Sequence, residues 1–382
     1  MSSLSQKRQK EGRSQSAPVQ PSNQHTRHKR QKRQKQDLRQ KAEHQRERQR
    51  EHYLINKEII DLLKNNFNPT KLDCDVLSNG DRKITYLQRG KDGEVYSVVP
   101  NNDAEEYAVK RINLMLNSGN FTIKHDFIIK KTIKEIKFLK TLKDSSPIID
   151  FKEALYAENT YKYLYIKTEL CNGGDLFDYI NNHAMNENKV KDWTRQILDA
   201  IKSCHDNQIA HIDIKPENLV LKNENTLKLI DFGLAEKFDD MCGLQVATGT
   251  PSYWAPEVCL ISPKYNVSPK YNEKVDIWSA GATVCALLGL FPVNPPTVFN
   301  ILLLENNKDT THVSAEGFVF LKKLLVTIPS KRPDIDTSIE YFSNWSQINN
   351  ENNVENFSRQ VKQRILNLKK DRLAFQLSRL RF

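Results

Sequence analysis

A chain of 382 residues with 38% hydrophobic side chains is long enough to bury a sizeable core, as one large domain or two small ones. Its net charge of +11 belongs to its ends: residues 1–51 hold 15 Lys+Arg against 5 Asp+Glu and residues 357–382 hold 8 against 1, leaving 35 against 41 in between. A net-acidic middle argues against a nucleic-acid-binding globule.

In chain order, residues 1–52 are Gln, Arg, Lys and Ser with almost no large apolar side chain. Burial cannot repay the ordering entropy of such a stretch, so a basic disordered tail is expected, with "RHKRQKRQK" at 27–35 a candidate nuclear import signal. Residues 53–81 form an N-terminal extension in which Leu54, Ile55, Ile59, Ile60, Leu62 and Leu63 are the first apolar positions, and "NGDRK" at 79–83 turns into strands. "KITYLQRGKDGEVYSVV" and "EYAVKRINL" read as strands, "TIKEIKFLKTL" as a helix, and "IIDFKEALYA" and "YKYLYIKTEL" as further strands. Beyond them "LFDYINNHA", "VKDWTRQILDAIKSCHDN", "VDIWSAGATVCALLGL" and "EGFVFLKKLLVTI" are helical. Strands first and helices later point to an α+β chain with two lobes. The tandem SPKYN at 262–273 reads as a loop duplication, and residues 346–382 as a basic amphipathic helix with Phe357, Val361, Ile365 and Leu368 at helical spacing.

The six cysteines are far apart, with no C-x-x-C pair and no flanking His at ligand spacing, so neither a disulfide framework nor a zinc site is indicated. No run of about 18 apolar residues occurs and the N-terminus is polar, so no transmembrane segment or signal peptide is expected, and the protein is expected inside the cell, in cytoplasm or nucleus.

Chemistry-bearing residues recur through this frame. "QRGKDGEV" sets Gln88, Gly90, Gly93 and Val95 between strands, and a phosphate cradle needs glycine because a Cβ would keep main-chain N–H groups away. "YAVK" puts Lys110 on a strand and "KEIKFLK" puts Glu135 on the following helix. "HIDIKPEN" brings Asp213, Lys215 and Asn218 together, and "DFG" adds Asp231. Phosphoryl transfer needs positioning and charge neutralisation more than covalent chemistry, so oxygen ligands for a hard cation beside two lysines fit it. "GTPSYWAPE" with Thr250 and Glu257, "DIWSAG" with Asp276 and Trp278, and "SKRPDI" with Arg332 follow.

In this order and at these spacings the motifs resemble the eukaryotic protein kinases over residues 82–345. The resemblance implies an α+β, bilobal protein kinase fold with a β-rich N-lobe, a hinge at Glu169–Asn172 and a helical C-lobe. It implies ATP and Mg²⁺ as cofactors, with Gly90, Gly93, Val95, Lys110, Glu169 and Cys171 around ATP and Thr168 gating the pocket's rear. Glu135 would pair with Lys110, Asp213 would accept the substrate hydroxyl's proton, Lys215 would neutralise the transferring phosphoryl group, and Asn218 and Asp231 would hold the metal. Glu257 would pair with Arg332, and the helix of Asp276 and Trp278 would anchor the catalytic loop.

Lys215 with Thr250 resembles the Ser/Thr-specific branch, and "GGDLFDYI" resembles the calmodulin-dependent and Snf1-related groups. In their basophilic members, acids at the positions of Asp175 and Glu217 hold an arginine three residues before the target, so protein substrates basic around the target residue are expected. Gln88 departs from the family at the first glycine. Ile212 stands where relatives carry an arginine neutralised by a phosphate on the activation segment, and Val246 where many of them carry the phosphorylated threonine. Thr248 is the residual site, and catalysis is expected not to depend on phosphorylation there. The function expected is a Ser/Thr protein kinase using Mg-ATP. The alternatives are a pseudokinase scaffold, which would require the loss of Lys110, Asp213, Asn218 or Asp231, and a kinase with a secondary nucleic-acid role through its basic tail. Calmodulin binding by the C-terminal helix is a further option.

Overall fold

The computed structural model describes residues 70–72, 82–90, 93–100, 105–113, 123–157, 163–183, 186–241, 249–259, 271–290 and 313–347, together with residues 32, 36, 39–43 and 46. The chain divides into two compact units, Met1–Ile55 and Asn56–Phe382. In the first, residues 39–43 with Lys32, Gln36 and Arg46 follow exposed helical turns. Lys, Gln, Arg, Ala and Glu favour helix without any burial.

The second unit begins with strands β1 (Thr70–Leu72), β2 (Arg82–Arg89), β3 (Glu94–Pro100) and β4 (Tyr107–Asn113), followed by helix α1 (Ile123–Thr141) and strands β5 (Phe151–Ala157) and β6 (Tyr163–Glu169). They make one six-stranded sheet in the order β1-β5-β6-β4-β3-β2, antiparallel except for the parallel β1–β5 pair. Side chains alternate between faces along a strand. Register therefore aligns Val95, Lys110 and Ile166 on one face, while Val98, Tyr107, Val109, Leu155 and Tyr165 form a buried cluster on the other.

Helices dominate the rest: α2 (Leu176–Asn182), α3 (Glu187–Asp206), α4 (Phe238–Met241), α5 (Pro256–Cys259), α6 (Lys274–Leu287), α7 (Ala315–Leu324) and α8 (Ile335–Ser346). Between α3 and α4 lie β7 (Ile209–Ala210), β8 (Leu219–Asn223), β9 (Thr226–Leu229) and β10 (Glu236–Lys237), paired as the hairpin β8–β9 and the ribbon β7–β10. Helix α3 starts where the Asn186 side chain accepts the Lys189 N–H, and it buries Val190, Trp193, Thr194, Ile197, Leu198 and Ile201 at three- and four-residue steps. Helix α6 is buried from Val275 to Leu287. At the far end the buried Glu187 carboxylate accepts from the Ser314 N–H at 3.0 Å, the Ser314 hydroxyl at 2.5 Å and the Trp345 indole N–H at 2.6 Å, joining α3, α7 and α8.

The structure departs from the sequence reading in four places. "KITYLQRGKDGEVYSVV" is a hairpin of two strands, and α1 starts at Ile123, well before "TIKEIKFLKTL". Strand β1 lies inside the stretch read as an extension, and α8 was not singled out. The candidate import signal apart from Lys32, most of the SPKYN repeat, Val246, Thr248 and the C-terminal helix 357–382 lie outside the described residues.

Candidate active site

Strand β4 projects Lys110 toward α1, where the Lys110 ammonium donates to both Glu135 oxygens at 2.7 and 2.8 Å. Burial pushes the Glu135 carboxyl up, and Lys110 opposes that. Asp231 follows β9 in a left-handed conformation, φ 61°, with Oδ1 3.7 Å from Lys110 Nζ and 3.9 Å from Lys131 Nζ. Burial alone would raise its pKa, but Lys110, Lys131, His211 and Lys215 together hold it well below the usual carboxylate range. Lys131 was missed by the sequence reading, although its place one helical turn before Glu135 puts both on one face.

The loop after β7 carries Asp213. The Lys215 ammonium donates to Asp213 Oδ2 at 2.5 Å and to the Thr250 hydroxyl at 2.7 Å, and that hydroxyl donates to Asp213 Oδ1 at 2.9 Å. Asn218 Nδ2 donates to the Asp213 carbonyl at 2.8 Å and to its Oδ2 at 3.1 Å. His211 is buried, with Nδ1 accepting the Asp213 N–H at 3.3 Å. Its Nε2 faces the Ile230 carbonyl at 3.0 Å, so Nε2 carries the proton. Ile212 has φ 71°, and Gly249, φ 95°, passes so close that a Cβ there would lie 2.9 Å from the Ile212 carbonyl oxygen. Only glycine fits that crossing.

The remaining predicted residues fall into three groups. Among the described residues, Asp231 Oδ1 is buried without a hydrogen-bond partner, and Asn218, its amide nitrogen engaged, has Oδ1 left to offer. Two hard oxygens at this place fit Mg²⁺. Among the residues expected around ATP, Val95 pairs with Lys110, and Thr168 pairs with Ala108 and donates to the Glu169 carbonyl at 3.1 Å. Gly90 has room for a Cβ, whereas one on Gly93 would meet the Arg111 carbonyl oxygen at 2.4 Å, so β4 itself demands that glycine. The Glu169 carboxylate turns to Lys222 at 2.7 Å, Lys228 at 3.0 Å and the Asp150 N–H at 2.9 Å, while its own N–H donates to the Asp150 carbonyl at 2.9 Å, so this side chain is committed to bonds within the protein. Burial pushes the Cys171 thiol up to about 12, so it stays protonated. Third, Asp175 caps α2 by accepting the Asp178 N–H at 2.8 Å, and burial, with Asp178 and Glu217 adding repulsion, pushes it up to about 6.

Below the site, Arg332 and Glu257 form a buried bidentate pair at 2.7 and 3.0 Å, with the guanidinium 5.2 Å over the Trp278 ring.

An ammonium on a sheet strand paired with a carboxylate on the helix packed beside it, next to two further carboxylates, an amide and a second ammonium from the helical part, fits the two-lobed kinase fold. Residues 82–342 match the protein kinase domain, and the chain belongs to the protein kinase family. It is 35% identical over 224 residues to the serine/threonine protein kinase OSK3 of Oryza sativa subsp. indica, covering 57% of this chain and 42% of that one. It is 30% identical over 267 residues to the serine/threonine-protein kinase Nek1 of Mus musculus, covering 68% of this chain and 21% of that one. It is 34% identical over 220 residues to the probable serine/threonine-protein kinase MARK-C of Dictyostelium discoideum, covering 54% and 28%. The matched region thus spans less than half the length of these curated relatives.

Proposed function

We propose that this chain is a Ser/Thr protein kinase that transfers the γ-phosphoryl group of Mg-ATP to protein substrates. The observation that carries the reading is the closed set Asp213–Lys215–Thr250, in which one threonine hydroxyl bridges the carboxylate and the ammonium. Bound Mg²⁺ would supply charge neutralisation on the phosphates, held by Asp231 and Asn218. Asp213 would orient the attacking hydroxyl and take its proton, Lys215 would meet the charge of the moving group, and Glu135 would hold Lys110 where the nucleotide phosphates lie. Incubation with Mg-ATP and a generic basic protein should label Ser and Thr, and Asp213→Asn should abolish labelling while leaving the fold intact. Equal labelling by the two proteins would remove the reading.

Three finer readings accompany it. Asp175 and Glu217 would hold an arginine three residues before the target, as in the calmodulin-dependent and Snf1-related groups that "GGDLFDYI" resembles. Catalysis would not depend on activation-segment phosphorylation, because Ile212 is 5% exposed and offers no cation to a phosphate. Residues 27–35 would direct nuclear import.

A further inference from the structure

Helix α1 meets the segment after Asp231 through one face. Lys131, Lys134 and Glu135 stand at i, i+3 and i+4 and therefore point the same way. Glu135 takes Lys110. Lys131 lies along Gly233, so closely that a Cβ on that glycine would come within 2.2 Å of the lysine Cε. Lys134 forms an ion pair with Glu236, the first residue of β10.

Glu236 is well placed to transmit force. Its side chain is 13% exposed, so the pair is shielded at that end, unlike the surface pairs that contribute little. β10 pairs antiparallel with β7, with Glu236 opposite Ala210 and Lys237 opposite Ile209. β7 runs directly into His211, Ile212 and Asp213. One side-chain contact from α1 therefore reaches the ribbon that supports both the Asp213 loop and the segment after Asp231. Lys134 is adjacent in sequence to Glu135, so any swing of α1 that breaks Lys134–Glu236 also draws Glu135 off Lys110.

We propose that Lys134 and Glu236 are positioning residues: their ion pair holds α1 in the arrangement in which Glu135 engages Lys110, and Glu236 supplies from within the chain the negative charge that an activation-segment phosphate supplies in arginine-containing relatives. The second half rests on the reading above that catalysis does not require that phosphate. Ile212 contributes no cation, and the charges that tie the helix to the catalytic ribbon are both encoded in the sequence and always present.

The test uses the full-length chain, phosphatase-treated, with Glu236→Gln, Glu236→Lys, Lys134→Glu and the double exchange Lys134→Glu/Glu236→Lys. Each single change should lower kcat/KM for ATP by about tenfold or more, the scale on which loss of a positioning contact acts, with the peptide KM and the thermal midpoint little changed. The double exchange should recover activity to within about threefold of the parent, because the charges are restored in reversed order. Single changes that leave kcat/KM within about twofold, or a double exchange no better than the worse single, overturn the ion pair as a positioning device. Glu236→Gln, isosteric with the parent, keeps the result readable if a charge reversal fails to fold. A large loss on phosphatase treatment of the parent, with the double exchange still rescuing in the phosphorylated enzyme, overturns only the replacement of a phosphate.

Discussion

Asp276 Oδ1 accepts the Ile212 N–H at 2.8 Å, and this bond holds a β-branched residue in a left-handed conformation. The other oxygen, Oδ2, accepts the His211 N–H at 2.8 Å and faces His205 Nε2 at 3.0 Å. A left-handed L-residue costs about 1–2 kcal/mol, while each hydrogen bond to a charged group contributes about 1.5–3 kcal/mol. The buried carboxylate therefore outweighs the strain, and helix α6 fixes the shape of the loop that presents Asp213.

Replacing that carboxylate should separate the two terms. Asp276→Asn presents an amide N–H to a site that supplies only donors on the main-chain side, and it should lower stability by about 2–4 kcal/mol in urea titration and reduce kcat with it. A variant within about 0.5 kcal/mol of the parent would show that Ile212 is held by packing alone.

Thr250 should tolerate only a hydroxyl. Thr250→Ser keeps both bonds of the bridge and should retain activity within about threefold, whereas Thr250→Val removes them and should lower kcat by about tenfold or more. The comparison of kcat for the two variants, at equal thermal stability, checks it.

Asp175 predicts a pH signature. Its folded pKa of about 6 lies above the ordinary carboxylate value of about 3.9, so its contribution to folding is full below pH 4 and is lost as pH rises through 6. Binding runs the other way: an arginine on a peptide needs the charged form, so its KM should rise as pH falls from 7.5 to about 5.5. A peptide lacking that arginine, and the Asp175→Asn variant with the original peptide, should show no such rise. A parallel rise in all three would assign the effect elsewhere.

The Glu187 junction should be a stability element without a role in turnover. Trp345→Phe keeps most of the apolar volume but removes an indole donor at 2.6 Å from a buried carboxylate, and it should cost about 1.5–3 kcal/mol in chemical unfolding with kcat unchanged.

The clustering of the Asp213 loop was legible because its residues are neighbours in sequence: Asp213, Lys215 and Asn218 sit within one short turn, and their mutual bonds follow from spacing. The strands around Lys110 were legible for the same reason, through alternation. The start of α1 was not, since "IKHDFIIKK" mixes charge and apolar residues without a clear cap. β1 was hidden because a three-residue strand carries no period, and its pairing with β5 spans some eighty residues of chain. Lys134 and Glu236 were hidden too, since each reads alone as a solvated surface charge.

The parallel pairing of β1 with β5 also bears on solubility. Without it, β5 would end the sheet and present the main-chain groups of "FKEALYA", in which Phe151, Ala154, Leu155 and Tyr156 are buried, to any passing strand. With it, one rim of the sheet is only three residues long and the other is β2, which carries Arg82, Lys83 and Arg89. Short rims and basic rims both discourage edge-to-edge aggregation. A chain trimmed beyond Leu72 trades a guarded rim for an adhesive one, and self-association is the expected cost of that shortening.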